Sequence, residues 1–132
     1  MKTYQLNLRV YYEDTDAGGI VYHGRYLAFA ERARTEALRE AGVPHYQLVT
    51  QFGLIFVVRR VEMDYLRPVR LDAELIVHTG PWALGAATVD VRQTFESEGR
   101  ETGRLRVGLA CVRMTDGRPA RIPPPWREVL GA

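Results

Sequence analysis

Residues 11–42 read YYEDTDAGGIVYHGRYLAFAERARTEALREAG and combine an acidic turn, a glycine pair, a histidine and one long amphipathic segment. Residues 24–41 contain no proline, and their apolar side chains recur at the three- and four-residue spacing of one helical face. That predicted face comprises Tyr26, Leu27, Ala30, Ala33, Ala37, Leu38 and Ala41. Gly42 and Pro44 predict the end of the helix, because glycine can close a helix in the left-handed conformation and proline cannot continue one. Small alanine side chains let a helix lie close against a sheet, so this segment is predicted to be a central helix around which a curved sheet wraps.

Five stretches outside this segment predict β-strands. They cover residues 3–12, 54–66, 73–82, 86–97 and 102–114. Residues 43–51 are interpreted as a connection, and the proline-rich tail is expected to wrap the surface before a short turn near Trp126. One strand, one helix and four further antiparallel strands predict an α+β fold, in which a five-stranded sheet wraps one long helix.

The strand predicted at residues 54–66 is expected at a sheet edge or a dimer seam. Because successive side chains of a strand alternate, five of its residues are predicted to share one face: Val57, Arg59, Val61, Met63 and Tyr65. Pro68 follows the strand and has no N–H for a further ladder. Proteins usually cover or pair open strand edges, so a homodimer at least is expected.

Composition and charge point to one soluble domain, residues 1–132. The formal net charge of +2 is too small to indicate nucleic acid as the main partner. No apolar run is long enough to span a membrane and no charged-then-apolar leader opens the chain, so a cytoplasmic protein is expected. The single cysteine, Cys111, excludes an intramolecular disulfide and is more typical of a core residue than of a nucleophile.

The acidic turn is where catalytic chemistry is expected. Glu13, Asp14, Asp16 and His23 lie close together in the sequence, with Tyr12 beside them. A carboxylate followed by a glycine pair and a helix N-terminus could attack a carbonyl or activate water, while backbone N–H groups stabilise the oxyanion. Thioesters fit such a site, because a thiolate departs with little acid assistance.

Two other interpretations of these residues stay open. Asp14 and Asp16 could be turn residues whose carboxylates cap their own backbone, and His23 could be a simple N-terminal cap of the helix. Asp16 and His23 could also share a divalent ion. Two ligands are too few for a closed metal site, however, and no other residues of the sequence have ligand spacing.

Several motifs resemble those of the Tol-Pal-associated (YbgC-type) acyl-CoA thioesterases, which belong to the 4-hydroxybenzoyl-CoA thioesterase group of hotdog-fold proteins. The motifs are YEDTDAGGIVYH at 12–23, Tyr26-Leu27, ERARTE at 31–36, FVVRR at 56–60 and YLRPVRLD at 65–72. The resemblance covers nearly the whole chain. It departs from the family at Gly24-Arg25, where a pair of small residues is frequent, and at Ala73, which replaces a second aspartate.

The resemblance implies a hotdog fold and hydrolysis of acyl-CoA, by dimers that form one continuous sheet and often pair into a homotetramer. Asp16 matches the family's catalytic carboxylate, as nucleophile or general base, and Tyr12 and His23 match its two companions. A backbone N–H near His23, at the helix start, would polarise the thioester carbonyl. The site would lie at the dimer seam, walled partly by residues 54–60 of the second copy. No cofactor and no metal are expected, since coenzyme A is part of the substrate.

Arginines near the mouth of the site are expected to hold the phosphates of coenzyme A. The candidates are Arg59, Arg60, Arg67 and Arg92, for which ion pairs on a strand face are the alternative role. Gly18, Gly19 and Val57 are further candidates for substrate contact, and glycines let a ligand approach the main chain closely.

Two alternative functions stay open from the sequence. A hotdog dehydratase or hydratase would use a different acid and base inside the helix, which here holds no histidine beyond His23 at its start. A non-catalytic module that binds acyl-CoA or an acyl carrier protein would keep the arginines but need not depend on Asp16. An acyl carrier protein is also a possible carrier of the substrate.

Overall fold

The computed structural model describes residues 3–131, which contain five strands and three α-helices. The strands are β1 (Tyr4–Arg9), β2 (Leu54–Tyr65), β3 (Glu74–Leu84), β4 (Thr88–Ser97) and β5 (Arg100–Arg113), and the helices are α1 (Arg25–Glu40), α2 (His45–Phe52) and α3 (Pro124–Leu130). All neighbouring strands are antiparallel, in the order β1-β3-β4-β5-β2. The predicted α+β class and five-stranded sheet are therefore confirmed. None of the helices in this range is long and apolar enough to cross a membrane.

Helix α1 packs against β3 and β1. Its buried side chains are Tyr26, Phe29, Ala30, Ala33, Arg34, Ala37 and Leu38. The predicted face is correct at most positions, but Leu27 is 42% exposed and Phe29 is buried instead. At the helix end Gly42 has a φ of +87°, and the Val43 N–H donates to the Leu38 carbonyl at 2.9 Å. This Schellman-type bond explains why Gly42 ends the helix as predicted.

Strand β2 is an edge strand, as predicted. Its pairing with β5 shifts between Val58 and Arg60, which leaves Arg59 as an extra residue in a β-bulge. A one-residue shift moves all later side chains to the other face of the sheet. Val57 and Val61 therefore lie on opposite faces, and the prediction that they share a face is wrong.

Two shorter helices replace segments predicted to be irregular. Residues 43–51 were predicted as a connection, but they are largely helix α2, which follows Pro44 and is closed by Gly53 at a φ of 65°. The tail does not simply wrap the surface, because α3 inserts Trp126 into the core. That side chain is 1% exposed, and its Nε1 donates to the Val43 carbonyl at 3.1 Å.

The hydrophobic core lies between α1 and the sheet and is completed by α2 and α3. The largest fully buried apolar side chains are Trp126, Phe95, Leu48, Leu75, Ile122 and Leu130. Cys111 in β5 is also fully buried, so its interpretation as a core residue is confirmed. Burial raises the pKa of the Cys111 thiol, which disfavours the reactive thiolate.

A buried polar network ties α1 to the sheet. Arg34 is 9% exposed, and its Nη1 donates to Gln93 Oε1 at 3.0 Å. The Gln93 amide in turn donates to the Ala30 carbonyl and the Thr79 hydroxyl, both at 2.9 Å. Burial lowers the pKa of the Arg34 guanidinium, an effect that the Glu31 carboxylate opposes. The network satisfies polar groups that would be costly to bury alone.

Candidate active site

Asp14 is a structural residue of the acidic turn. It ends a short 3₁₀-helix, Tyr12–Asp14, and is only 3% exposed. Its Oδ2 accepts a hydrogen bond from the Tyr11 N–H at 2.8 Å, and its carbonyl accepts one from the Tyr22 N–H at 2.9 Å. Its Oδ1 accepts from Nε and Nη2 of Arg25 at 3.0 and 2.7 Å. The interpretation of Asp14 as a capping residue is therefore confirmed.

The two carboxylate oxygens of Asp16 have different surroundings. Oδ1 accepts hydrogen bonds from the N–H groups of Gly18 at 2.8 Å and Ile20 at 3.4 Å, so it caps its own turn. Oδ2 has no hydrogen-bond partner among residues 3–131, and the residue is exposed. One oxygen thus fixes the direction of the carboxylate, while the other is available to a substrate or a water molecule.

The glycine pair allows this turn to form. A Cβ on Gly18 would lie 3.2 Å from Asp16 Oδ1, which is tighter than nine in ten real Cβ contacts. Gly19 has a φ of +78°, a conformation that side chains disfavour, and its N–H donates to the Asp16 carbonyl at 3.0 Å. Both glycines therefore support the position of the carboxylate.

The N-terminus of α1 presents backbone N–H groups that have no partner among the described residues. Gly24 is the N-cap, so the alternative in which His23 caps the helix is wrong. The Arg25 N–H donates to the Tyr22 carbonyl at 2.9 Å, but the N–H groups of His23 and Gly24 find no partner within the described chain. Such groups at a helix start favour negative charge and can stabilise an oxyanion.

An open cavity of about 390 Å³ brings Asp16 and His23 together. It is lined by Asp16, Ile20, Val21, His23, Tyr26, Tyr65, Leu66, Arg67 and Pro68. Tyr12 is outside this lining and is 83% exposed. In the part of the chain that the structure describes, no three His, Cys, Asp or Glu side chains are grouped closely enough to hold a metal ion.

Two tyrosines of the cavity wall were not among the predicted site residues. Tyr26 is 3% exposed, and burial, with a smaller effect of Tyr65, raises the pKa of its hydroxyl to about 12. Tyr65 ends β2, and its hydroxyl donates to the His23 carbonyl at 2.9 Å. The strand pattern indicated that Tyr65 belongs to β2, but no sequence signal links it to a residue 42 positions earlier.

Of the four arginines predicted to hold coenzyme A, Arg67 lines the cavity that contains Asp16. Its Nη1 donates to the Glu101 carbonyl at 2.8 Å, which holds the side chain beside the cavity. Arg92 lies on β4 and borders a separate surface cavity of about 470 Å³ together with Arg104.

Arg59 and Arg60 lie in the bulged part of β2 and line another cavity, of about 450 Å³. Arg60 Nη2 lies 2.6 Å from Glu62 Oε1. This contact is the ion pair on a strand face that is the alternative to holding a phosphate of coenzyme A. Neither arginine, nor Val57, lines the cavity of Asp16 in the same copy. A single copy therefore brings together only part of the predicted set.

A five-stranded antiparallel sheet packed on one long helix is the architecture of hotdog-fold proteins. The family described as the thioesterase superfamily matches residues 18–104. The chain therefore belongs to the thioesterase superfamily, and it is a hydrolase that acts on thioesters.

Individual relatives agree with this assignment. The acyl-CoA thioesterase YbgC of Haemophilus influenzae is 40% identical over 125 residues, which cover 95% of this chain and 90% of that protein. The acyl-CoA thioester hydrolase YbgC of Escherichia coli is 38% identical over 117 residues, which cover 88% of this chain and 87% of that protein. The resemblance identified from the motifs is thereby confirmed.

Solved structures show the same fold. A probable thioesterase from Bartonella henselae superposes with a TM-score of 0.87 at 34% identity, covering 92% of this chain and 100% of that chain. A DHNA-CoA thioesterase from Staphylococcus aureus superposes with a TM-score of 0.93 at 21% identity, covering 99% of this chain and 90% of that chain. Because the Staphylococcus aureus protein is only 21% identical to this chain, its likeness shows the fold alone.

Proposed function

We propose that the protein is an acyl-CoA thioesterase, which converts an acyl-CoA and water to the free acid and CoA. The observation that carries this proposal is that Asp16, whose Oδ2 has no partner among residues 3–131, lines one cavity with His23. The backbone N–H groups of His23 and Gly24 also have no partner in that range. The names of the YbgC relatives support the same class of substrate.

Asp16 is the proposed nucleophile or general base. As a base, Oδ2 takes a proton from a water molecule whose oxygen attacks the thioester carbonyl carbon. As a nucleophile, Oδ2 attacks that carbon itself, and water then hydrolyses the resulting anhydride. In both routes the N–H groups of His23 and Gly24 stabilise the oxyanion. The C–S bond then breaks and releases a thiolate whose pKa, about 8.5 for a free thiol of this kind, makes it a good leaving group.

His23 and Tyr12 are the proposed companions of Asp16. His23 lines the same cavity, where an N–H of its imidazole ring can donate to the departing sulfur. Tyr12 is 83% exposed on the acidic turn, so its proposed contact is with a substrate that extends over that turn. His23→Gln and Tyr12→Phe should each lower kcat by about tenfold or more, and unchanged turnover would remove that residue from the catalytic set.

A homodimer paired along β2 is proposed to complete the site. Val58 and Val61 on this edge are 52% and 38% exposed in one copy. Antiparallel pairing about the middle of the strand places residues 54–56 of one copy opposite residues 63–65 of the other. Residues 54–56 of the second copy would then form one wall of the cavity beside Tyr65. Arg59 and Arg60 of the second copy would lie closer to the substrate. A further pairing into a homotetramer is proposed, and a monomeric mass by light scattering would contradict both assemblies.

The alternative function is a module that binds acyl-CoA, or an acyl carrier protein, without hydrolysis. The test is release of free thiol from short, long and aromatic acyl-CoAs and from an acyl carrier protein thioester. Wild type and Asp16→Asn are assayed side by side, with CoA binding measured for both. Turnover that is lost in the variant supports the thioesterase, whereas CoA binding without turnover on any thioester favours the binding module.

A further inference from the structure

Tyr65 is joined to the proposed oxyanion site by its hydroxyl group. Tyr65 is the last residue of the edge strand β2, and its Oη donates a hydrogen bond to the carbonyl oxygen of His23 at 2.9 Å. The two residues are 42 positions apart, and both line the cavity that contains Asp16. The edge of the sheet therefore contacts the chain directly at the start of helix α1.

This contact also affects the Gly24 N–H, because of the geometry of the peptide group between His23 and Gly24. The carbonyl of His23 and the N–H of Gly24 belong to the same planar peptide group, and in the trans form they point in opposite directions. A bond that holds the carbonyl oxygen therefore also holds the direction of the Gly24 N–H. That N–H has no partner elsewhere in residues 3–131. A hydrogen bond to the carbonyl also polarises the peptide group, which makes its N–H a stronger donor.

The ring of Tyr65 is held independently of its hydroxyl. It packs edge to face on Tyr26, with ring centroids 5.4 Å apart, and on His23, with ring centroids 6.4 Å apart. Tyr26 is buried beneath it, whereas Tyr65 itself is 51% exposed. Removal of the hydroxyl alone would therefore leave these ring contacts in place and create no cavity in the core.

The backbone around His23 has few other restraints. The Tyr22 N–H donates to the Asp14 carbonyl, and the Arg25 N–H donates to the Tyr22 carbonyl, each at 2.9 Å. Both bonds flank the peptide group between His23 and Gly24 but do not involve it. Within residues 3–131, the Tyr65 hydroxyl is thus the hydrogen-bond donor that acts on this group directly.

We propose that Tyr65 is a positioning residue for catalysis, which orients the Gly24 N–H toward the oxyanion by holding the His23 carbonyl. The inference rests on the proposed thioesterase function and adds a residue from the edge strand to its machinery. Tyr65 does not exchange a proton with the substrate in this role. Its contribution is greatest when charge develops on the thioester oxygen, so it should act on kcat more than on KM.

The test is Tyr65→Phe, which removes one oxygen atom and keeps the ring. Loss of one hydrogen bond of ordinary strength should lower kcat about tenfold while KM stays within about twofold. CoA binding and the midpoint of thermal unfolding should match wild type. The matched control is Tyr46→Phe, because Tyr46 is 60% exposed on helix α2 and belongs to no part of the proposed site.

Two results would overturn the inference. The first is a Tyr65→Phe enzyme whose kcat equals that of Tyr46→Phe. The second is a rise in KM with kcat unchanged, which would assign the hydroxyl to substrate binding. Asp16→Asn is assayed in the same series to separate the inference from the function it rests on. If Asp16→Asn retains full turnover the proposed mechanism fails, whereas lost turnover there with unchanged kcat in Tyr65→Phe rejects only the role of Tyr65.

Discussion

Asp14 and Arg25 join the two ends of the loop that carries Asp16 and His23. Asp14 Oδ1 lies 2.7 Å from Arg25 Nη2, and the side chain of Asp14 is 4% exposed whereas that of Arg25 is 40% exposed. The guanidinium carbon also lies 5.5 Å from the centroid of the Phe29 ring on the next turn of α1. The salt bridge thus fixes the acidic turn to the start of the helix.

Asp14→Asn should destabilise the protein. The substitution keeps the shape of the side chain but removes a buried charge that accepts three hydrogen bonds. The free energy of unfolding should fall by about 1.5–3 kcal/mol. It is measured by urea denaturation with Asp64→Asn as the control, because Asp64 is exposed. Equal urea midpoints for the two variants would contradict the structural role of Asp14.

Gly18→Ala should lower turnover by displacing the Asp16 carboxylate. The added Cβ would lie 3.2 Å from Asp16 Oδ1, so the carboxylate must shift. A small displacement of a reacting group should lower kcat about tenfold or more. Gly108→Ala is the control, because its Cβ would meet nothing closer than 3.7 Å. The account of the turn is wrong if thiol release is equally fast in both variants.

Gln93→Leu should disrupt the buried network of α1. It would leave the Arg34 guanidinium, the Ala30 carbonyl and the Thr79 hydroxyl without the partner they now share. Unsatisfied buried polar groups should lower the free energy of unfolding by about 3 kcal/mol. Gln51→Leu on the exposed side of α2 is the control. Similar stability of the two variants would show that the network contributes little.

His45 should make stability depend on pH. Burial lowers the pKa of His45 below its usual 6.5, and Glu31 opposes the shift. The unfolded chain therefore binds a proton at a higher pH than the native protein, so stability is lost as the pH falls from about 6.5 toward the native pKa. The free energy of unfolding of wild type minus that of His45→Gln should decrease over this range and be constant above about pH 7.5. A difference that is the same at acidic and neutral pH would contradict this.

Local patterns were sufficient to predict most of the fold. The apolar spacing of residues 24–41 identified α1, and Gly42 marked its end because both signals act within a few residues. The bulge at Arg59 could not be predicted, since it depends on how β2 pairs with β5. Helix α2 is only eight residues long, so its periodicity was too brief to recognise, although Pro44 and Gly53 mark its ends.

The site was predictable where its residues are neighbours in sequence. Asp16 and His23 are seven positions apart and line one cavity, as the motif suggested. Tyr65 could not be assigned to the site from the sequence, because its hydrogen bond to His23 joins residues 42 positions apart. The burial of Arg34 was missed for the same reason, since its partner Gln93 is 59 positions away. Both contacts depend on how distant segments of the chain pack together, which local sequence patterns do not show.

The most direct test of the central claim is the rate of thiol release by Asp16→Asn. Its amide can still cap the turn through its oxygen, but it lacks the unpartnered carboxylate oxygen that would attack the thioester or activate water. The account predicts a loss of 10²-fold or more in kcat, with unchanged folding and CoA binding. Turnover equal to that of wild type, on a thioester that wild type hydrolyses, would contradict it.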